Sequence, residues 1–155
     1  MEIKVASQKD FDDVKKIVQA TIKSVYPKYY PAGAVQFFLD HHSDEKIRDD
    51  ILNQKVFLLS VDGTNVGTVS ISENEIGRLF VLPDFQHKGY GRALLDFAEK
   101  KVSEISAKII LDASLPAKAI YRKRGYFETD YVITETGYGD YLCYDIMEKQ
   151  NTVNI

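Results

Sequence analysis

The chain has 155 residues, 45% of them apolar and 28% charged, with a formal net charge of −3. That size suits one hydrophobic core, so a single domain over 1–155 is expected, with the last few residues a tail. The acidic balance excludes a general nucleic-acid binder, which carries a basic surplus, although Lys118, Arg122, Lys123 and Arg124 cluster locally.

Residues 3–6 read as a short strand. Ser7 then caps a helix over 8–25, with Asp10 three residues on and Phe11, Val14, Val18, Ile22 and Val25 at helical spacing. Tyr26-Pro27 ends it, because proline disfavours helical geometry in the residue before it. Residues 27–42 are irregular or a short helix, rich in tyrosine and histidine. Ser43, Asp44 and Glu45 start another helix that carries Ile47, Ile51 and Leu52 inward and stops near Gln54.

A β-meander follows. Strands over 55–61 and 66–71 are joined by Asp62-Gly63-Thr64-Asn65, and Glu73-Asn74 turns into a third strand, 75–81. After Pro83-Asp84-Phe85 a glycine loop opens a helix from about Gly89 to Ser103, with Ala93, Leu94, Phe97, Ala98 and Val102 on one stripe. Residues 108–113 form a strand, and Pro116 begins a short helix that Gly125 closes as a left-handed cap. Strands over 126–132 and 141–147 flank a turn at 136–140. Cys143, the only cysteine, lies in the last of these runs and reads as a buried, inert thiol. No apolar run approaches the about 18 residues of a membrane span, and the first residues lack a signal peptide's apolar stretch, so a cytoplasmic protein with no membrane contact is expected. This alternation implies an α/β (α+β) fold, a mixed sheet with helices on both faces.

The loop Gln86-His87-Lys88-Gly89-Tyr90-Gly91-Arg92 sits between a strand and a helix. Free backbone N–H groups converge at such a helix start, at the positive end of the helix dipole, and glycines let the backbone approach an anion. Lys88 and Arg92 add positive charge, so a diphosphate suits the site. A P-loop is excluded by spacing, and a dinucleotide fingerprint would need a third glycine where Leu94 stands. A plain tight turn remains the alternative for the two glycines alone.

Gln86-x-x-Gly89-x-Gly91, preceded by Leu79-Phe80-Val81-Leu82-Pro83, resembles the signature Gln/Arg-x-x-Gly-x-Gly/Ala of the GCN5-related N-acetyltransferase (GNAT) superfamily. Downstream, Ala117-Lys118-Ala119-Ile120-Tyr121-Arg122-Lys123-Arg124-Gly125-Tyr126 is similar to that family's Ala-x-x-φ-Tyr-x-Lys-x-Gly-Phe block. The resemblance implies a central mixed, mostly antiparallel sheet of six to seven strands flanked by helices. It also implies acetyl transfer from acetyl-coenzyme A (acetyl-CoA) to a primary amine of a small molecule or peptide, by direct attack in a ternary complex.

Several site residues follow from the resemblance. Residues 86–92 would hold the pyrophosphate. Backbone groups of Leu79, Phe80 and Val81 would pair with the pantetheine arm like an added strand, once this strand splays from the one over 108–113. Ser114 stands where many relatives have asparagine and offers a hydroxyl to the same arm. Tyr121 matches the tyrosine near the coenzyme A sulfur, able to protonate or hydrogen-bond the departing thiolate. Arg124, with its basic neighbours, meets the 3′-phosphate or forms a solvated helix face. Glu75 is the candidate general base, by position relative to the histone-acetyltransferase branch. Tyr26, Tyr29, Tyr30, His41 and His42 fall where the acceptor pocket is shaped, either histidine having a reference pKa suited to a base. No metal site is evident, and a monomer or homodimer is expected. The alternative to an enzyme is a non-catalytic acyl-CoA-binding sensor or regulatory module, which would keep the glycine loop and need no acid.

Overall fold

The computed structural model describes residues 1–151, so the expected C-terminal tail lies outside the described residues. Seven strands, β1 (Glu2–Val5), β2 (Val56–Val61), β3 (Thr64–Ser72), β4 (Glu75–Val81), β5 (Lys108–Ala113), β6 (Phe127–Glu135) and β7 (Tyr141–Gln150), form one sheet in the order β1-β2-β3-β4-β5-β7-β6. All neighbours are antiparallel except β4 and β5. Among the described residues five α-helices cover it: α1 (Phe11–Val25), α2 (Ala32–His41), α3 (Asp44–Leu52), α4 (Tyr90–Ser103) and α5 (Leu115–Lys123). Val14, Ile17, Ile22, Ile47 and Ile51 of α1 and α3 pack with Leu58 and Phe80. Leu94, Ala98 and Val102 of α4 and Tyr121 of α5 pack with Val69, Ile109, Leu111 and Met147. The mixed, mostly antiparallel sheet between helices matches the expected fold.

Local departures have local causes. The first helix is α-helical only from Phe11, because Gln8–Asp10 wind as a 3₁₀ turn in which the Ser7 N–H donates to Asp10 Oδ2 at 2.8 Å. Leu52 is 68% exposed rather than inward, since it lies one residue, about 100° of helix, beyond the buried Ile51. The turn before β3 needs only Asp62 and Gly63, both at positive φ, so pairing resumes at Val61 with Thr64. Strands β6 and β7 run longer than their apolar patterns, and Cys143, opposite Ile133, is half-buried rather than sealed.

One irregularity places the site. Phe80 pairs with Thr68 and Gly77 with Ser70, so Arg78 and Leu79 together oppose Val69, and Arg78 takes a φ of 44°. A bulge of this kind bends its strand. The parallel neighbours β4 and β5 share just one pairing, Glu75 with Ile110, beside a bond from the Ile110 N–H to the Asn74 carbonyl at 3.0 Å. Past it the sheet is split.

Candidate active site

A cleft of about 360 Å³ runs into this split. On the α2–α3 face its walls include Phe37, Phe38, His41, His42 and Asp50, with Glu75 and Arg78 from β4, Asp112 from β5 and Tyr144 from β7. Through the split it reaches Leu79, Ser114, Ala117 and Tyr121. The expected splay of β4 from β5 is therefore present, and it joins the two faces of the sheet.

Beyond β4 the chain turns at Pro83–Phe85 and enters the glycine loop. Gly89 caps α4 at a φ of 85°, a conformation that costs other residues, and His87 also has positive φ. The first amide to bond back is that of Ala93, to the Gly89 carbonyl at 3.0 Å. Among the described residues, no acceptor meets the N–H groups of residues 87–92. Six consecutive free donors at a helix start are able to receive an anion. The Lys88 ammonium stands 5.1 Å from the Phe85 ring, and the Arg92 side chain is mostly in solvent. Gln86 turns inward instead: its Nε2 donates to the Val81 carbonyl at 3.0 Å and braces loop against strand. Thr21 Oγ1 donates to the same carbonyl at 3.1 Å, so strand-like pairing along 79–81 falls to the other backbone groups.

Tyr121 is buried between the loop side and the split, and burial pushes its phenol up to about 12. Tyr121 lines the cleft, and its hydroxyl has no hydrogen-bond partner among the described residues. The tyrosines after α1 divide. The Leu115 N–H donates to the Tyr30 hydroxyl at 2.7 Å, so Tyr30 holds the start of α5 and thereby Tyr121. Only Tyr26 lines the cleft; Tyr29 is 49% exposed and lies outside it.

Glu75 and Asp112 stand at the other mouth. Partial burial raises the Glu75 carboxyl, repulsion from Asp112 raises it further, and Lys46 opposes them. Burial likewise raises Asp112, against His41 at the rim. His42 departs from expectation: burial and the neighbouring Arg78 depress its pKa to about 3, which leaves a neutral imidazole too weakly basic to take an amine's proton. Arg78 is itself buried, its Nη2 donating to Asp50 Oδ2 at 2.7 Å, while Lys46 reaches Asp50 Oδ1 at 3.2 Å. The basic run on α5 is largely neutralised within the fold. Arg124 pairs with Glu99 at 2.7 Å and Asp96 at 2.6 Å, and Lys118 with Asp145 at 2.8 Å.

Sequence reasoning missed Asp112, Arg78, Asp50 and Tyr144. A signal existed for Asp112, a lone carboxylate in the apolar run of β5, and for Arg78, a lone cation inside β4. Nothing local marks Asp50 as the partner.

A family model described as an acetyltransferase (GNAT) domain matches residues 25–143. An uncharacterised N-acetyltransferase in the pepI 3′ region of Lactobacillus delbrueckii subsp. lactis is 25% identical to this chain, over 92% of it and 95% of the relative. A structure from Rhodopseudomonas palustris, described as a GCN5-related N-acetyltransferase and as "Aminotransferase, Class-II", superposes with a TM-score of 0.87 at 22% identity, over 96% of this chain and 94% of that one. The PaiA N-acetyltransferase of Thermoplasma acidophilum, solved in complex with coenzyme A, superposes with a TM-score of 0.75 at 24% identity, over 96% of this chain and 98% of that one.

Proposed function

The chain belongs to the acetyltransferase (GNAT) family, and from that premise we propose that it is an N-acetyltransferase that moves the acetyl group of acetyl-CoA directly to a primary amine. The observation that carries this reading is the split between β4 and β5, through which one cleft connects Glu75 and Asp112 to Tyr121. The free amides of residues 87–92 suit the pyrophosphate, and coenzyme A in the PaiA structure supports the same donor here. The pantetheine arm then runs along β4 from the loop into the split, bringing the thioester towards Tyr121 while the amine enters from the α2–α3 face.

Each residue's work follows from its surroundings. Glu75 accepts a proton from the ammonium, and its raised pKa makes it a better base than an ordinary carboxylate. The freed nitrogen attacks the thioester carbonyl carbon and gives its surplus proton to solvent, the carbon–sulfur bond breaks, and the electron pair leaves on sulfur. Tyr121, at about 12, remains protonated at neutral pH. Full proton transfer from it to a thiolate of reference pKa about 8.5 is uphill, so the phenol stabilises the departing thiolate as a hydrogen-bond donor and solvent supplies the proton. Holding amine and thioester at the two mouths of one cleft contributes through proximity.

The test is amine-dependent thiol release from acetyl-CoA, run beside calorimetric titration of coenzyme A. Binding without release for any amine would leave the sensor alternative; no binding would overturn the reading.

A further inference from the structure

The acceptor side of the cleft holds two opposite charge surpluses. Towards α3, the single carboxylate of Asp50 meets two cations, Arg78 and Lys46, and Lys55 lines the same cleft. The neutral His42 adds no charge. Arg78 carries a second signal. Its side chain is 4% exposed, and its Nη1 is a buried donor without an acceptor among the described residues. A guanidinium N–H left unmet is costly, and Arg78 lines the cleft, so a small shift of the wall would let a ligand oxygen relieve it. Towards β5, Glu75 and Asp112 repel one another and neither forms an ion pair among the described residues. The two surpluses line one and the same cleft.

We propose that the acceptor is a small zwitterion, whose ammonium docks between Glu75 and Asp112 and whose nearby carboxylate meets Arg78 and Lys46, as in an α-amino acid. The inference rests on the acetyl-transfer reading of the same cleft. A diamine would set its second ammonium against Arg78 and Lys46. A peptide N-terminus would offer Arg78 a neutral carbonyl and leave the excess positive charge unmet. Phe37, Phe38 and Leu142 supply an apolar wall for a side chain.

The probes are leucine, leucinamide, isoamylamine and spermidine, compared by kcat/KM in the parent and in Lys46→Gln, a half-exposed position, with a thermal melt to check that the variant is folded. Leucine is expected to be the best substrate. Its advantage over isoamylamine should fall about tenfold in the variant, a ratio from which the different basicities of the two amines cancel. An Arg78→Lys variant, if folded, should reduce the same ratio. Preference for spermidine, or a leucine-to-isoamylamine ratio unchanged by Lys46→Gln, would overturn the proposal. Coenzyme A binding with no acetylation of leucine overturns it and leaves the donor site standing, whereas absence of coenzyme A binding removes the acetyl-transfer reading too.

Discussion

The Asp140 carboxylate accepts the backbone N–H of Gly33 at 2.9 Å, joining the turn between β6 and β7 to the first turn of α2 across 107 positions of sequence. Pro31, at the N-cap of that helix, has no side chain able to cap it, so Asp140 performs the capping from a distance. Thr136 Oγ1 holds the same carboxylate at 2.7 Å, and Tyr138 bonds Asp40 near the other end of α2. The helix that carries Phe37, Phe38 and His41 into the cleft is thus fastened at both ends by one turn.

Gly33→Ala tests this fastening. A Cβ there would lie 2.4 Å from Asp140 Oδ1, which displaces the carboxylate and breaks both of its bonds. The variant should lose about 1 kcal/mol of stability, the scale of a lost cap. Its KM for the acceptor should rise while its coenzyme A affinity, measured by calorimetry, stays near the parent value. Equal weakening of both ligands would contradict the assignment of α2 to the acceptor side.

The pH profile of kcat/KM reports on Glu75. A base works deprotonated, so activity should rise with pH through a pKa above the ordinary carboxylate range. Glu75→Gln should lower kcat by about 10²–10⁴ and abolish that limb. Asp112→Asn removes a repelling charge, so the limb should move to lower pH. A limb that stays in place would show that Glu75 does not feel Asp112.

Tyr121→Phe removes a hydroxyl that has no hydrogen-bond partner among the described residues, so its melting temperature should stay close to the parent's. Its kcat should nevertheless fall by about 10–10³ if the phenol stabilises the departing thiolate. Unchanged turnover in the folded variant would remove Tyr121 from the chemistry.

Acid stability should follow the α3 network. Burial alone would raise Asp50, but bonds from Arg78 and Lys46 outweigh it and the net shift is downward. Its contribution is present above its unfolded pKa and lost as pH falls. His42, at about 3 against a reference of about 6.5, binds its proton more readily when unfolded, so it too favours the fold above 6.5 and loses stability below it. Thermal melts should drop between pH 6.5 and 4 by about 1 kcal/mol per unit, and His42→Gln should flatten that slope. A parent protein whose stability is level over this window would contradict a neutral buried imidazole.

What could be read beforehand follows from the range of the interactions. The glycine loop and the Tyr121 block are local motifs, because the free amides and the phenol need only a helix start and a helix face. The order of strands followed from alternating apolar residues. Helix α2 was legible only as one of two alternatives, irregular chain or a short helix, because its cap is Asp140, far away in sequence. The bulge at Arg78 was hidden for the same reason, since the buried guanidinium depends on Asp50 in another helix. His42 looked like a base from its residue type, and only its burial beside Arg78 shows that it stays neutral.

The most direct test of the account is the rate of amine-dependent thiol release from acetyl-CoA, measured in the parent and in Glu75→Gln at equal coenzyme A occupancy. Release should be coupled to N-acetylated product in the parent and should fall by about 10²–10⁴ in the variant. Equal rates in the two proteins, or release that ignores the amine, would contradict it.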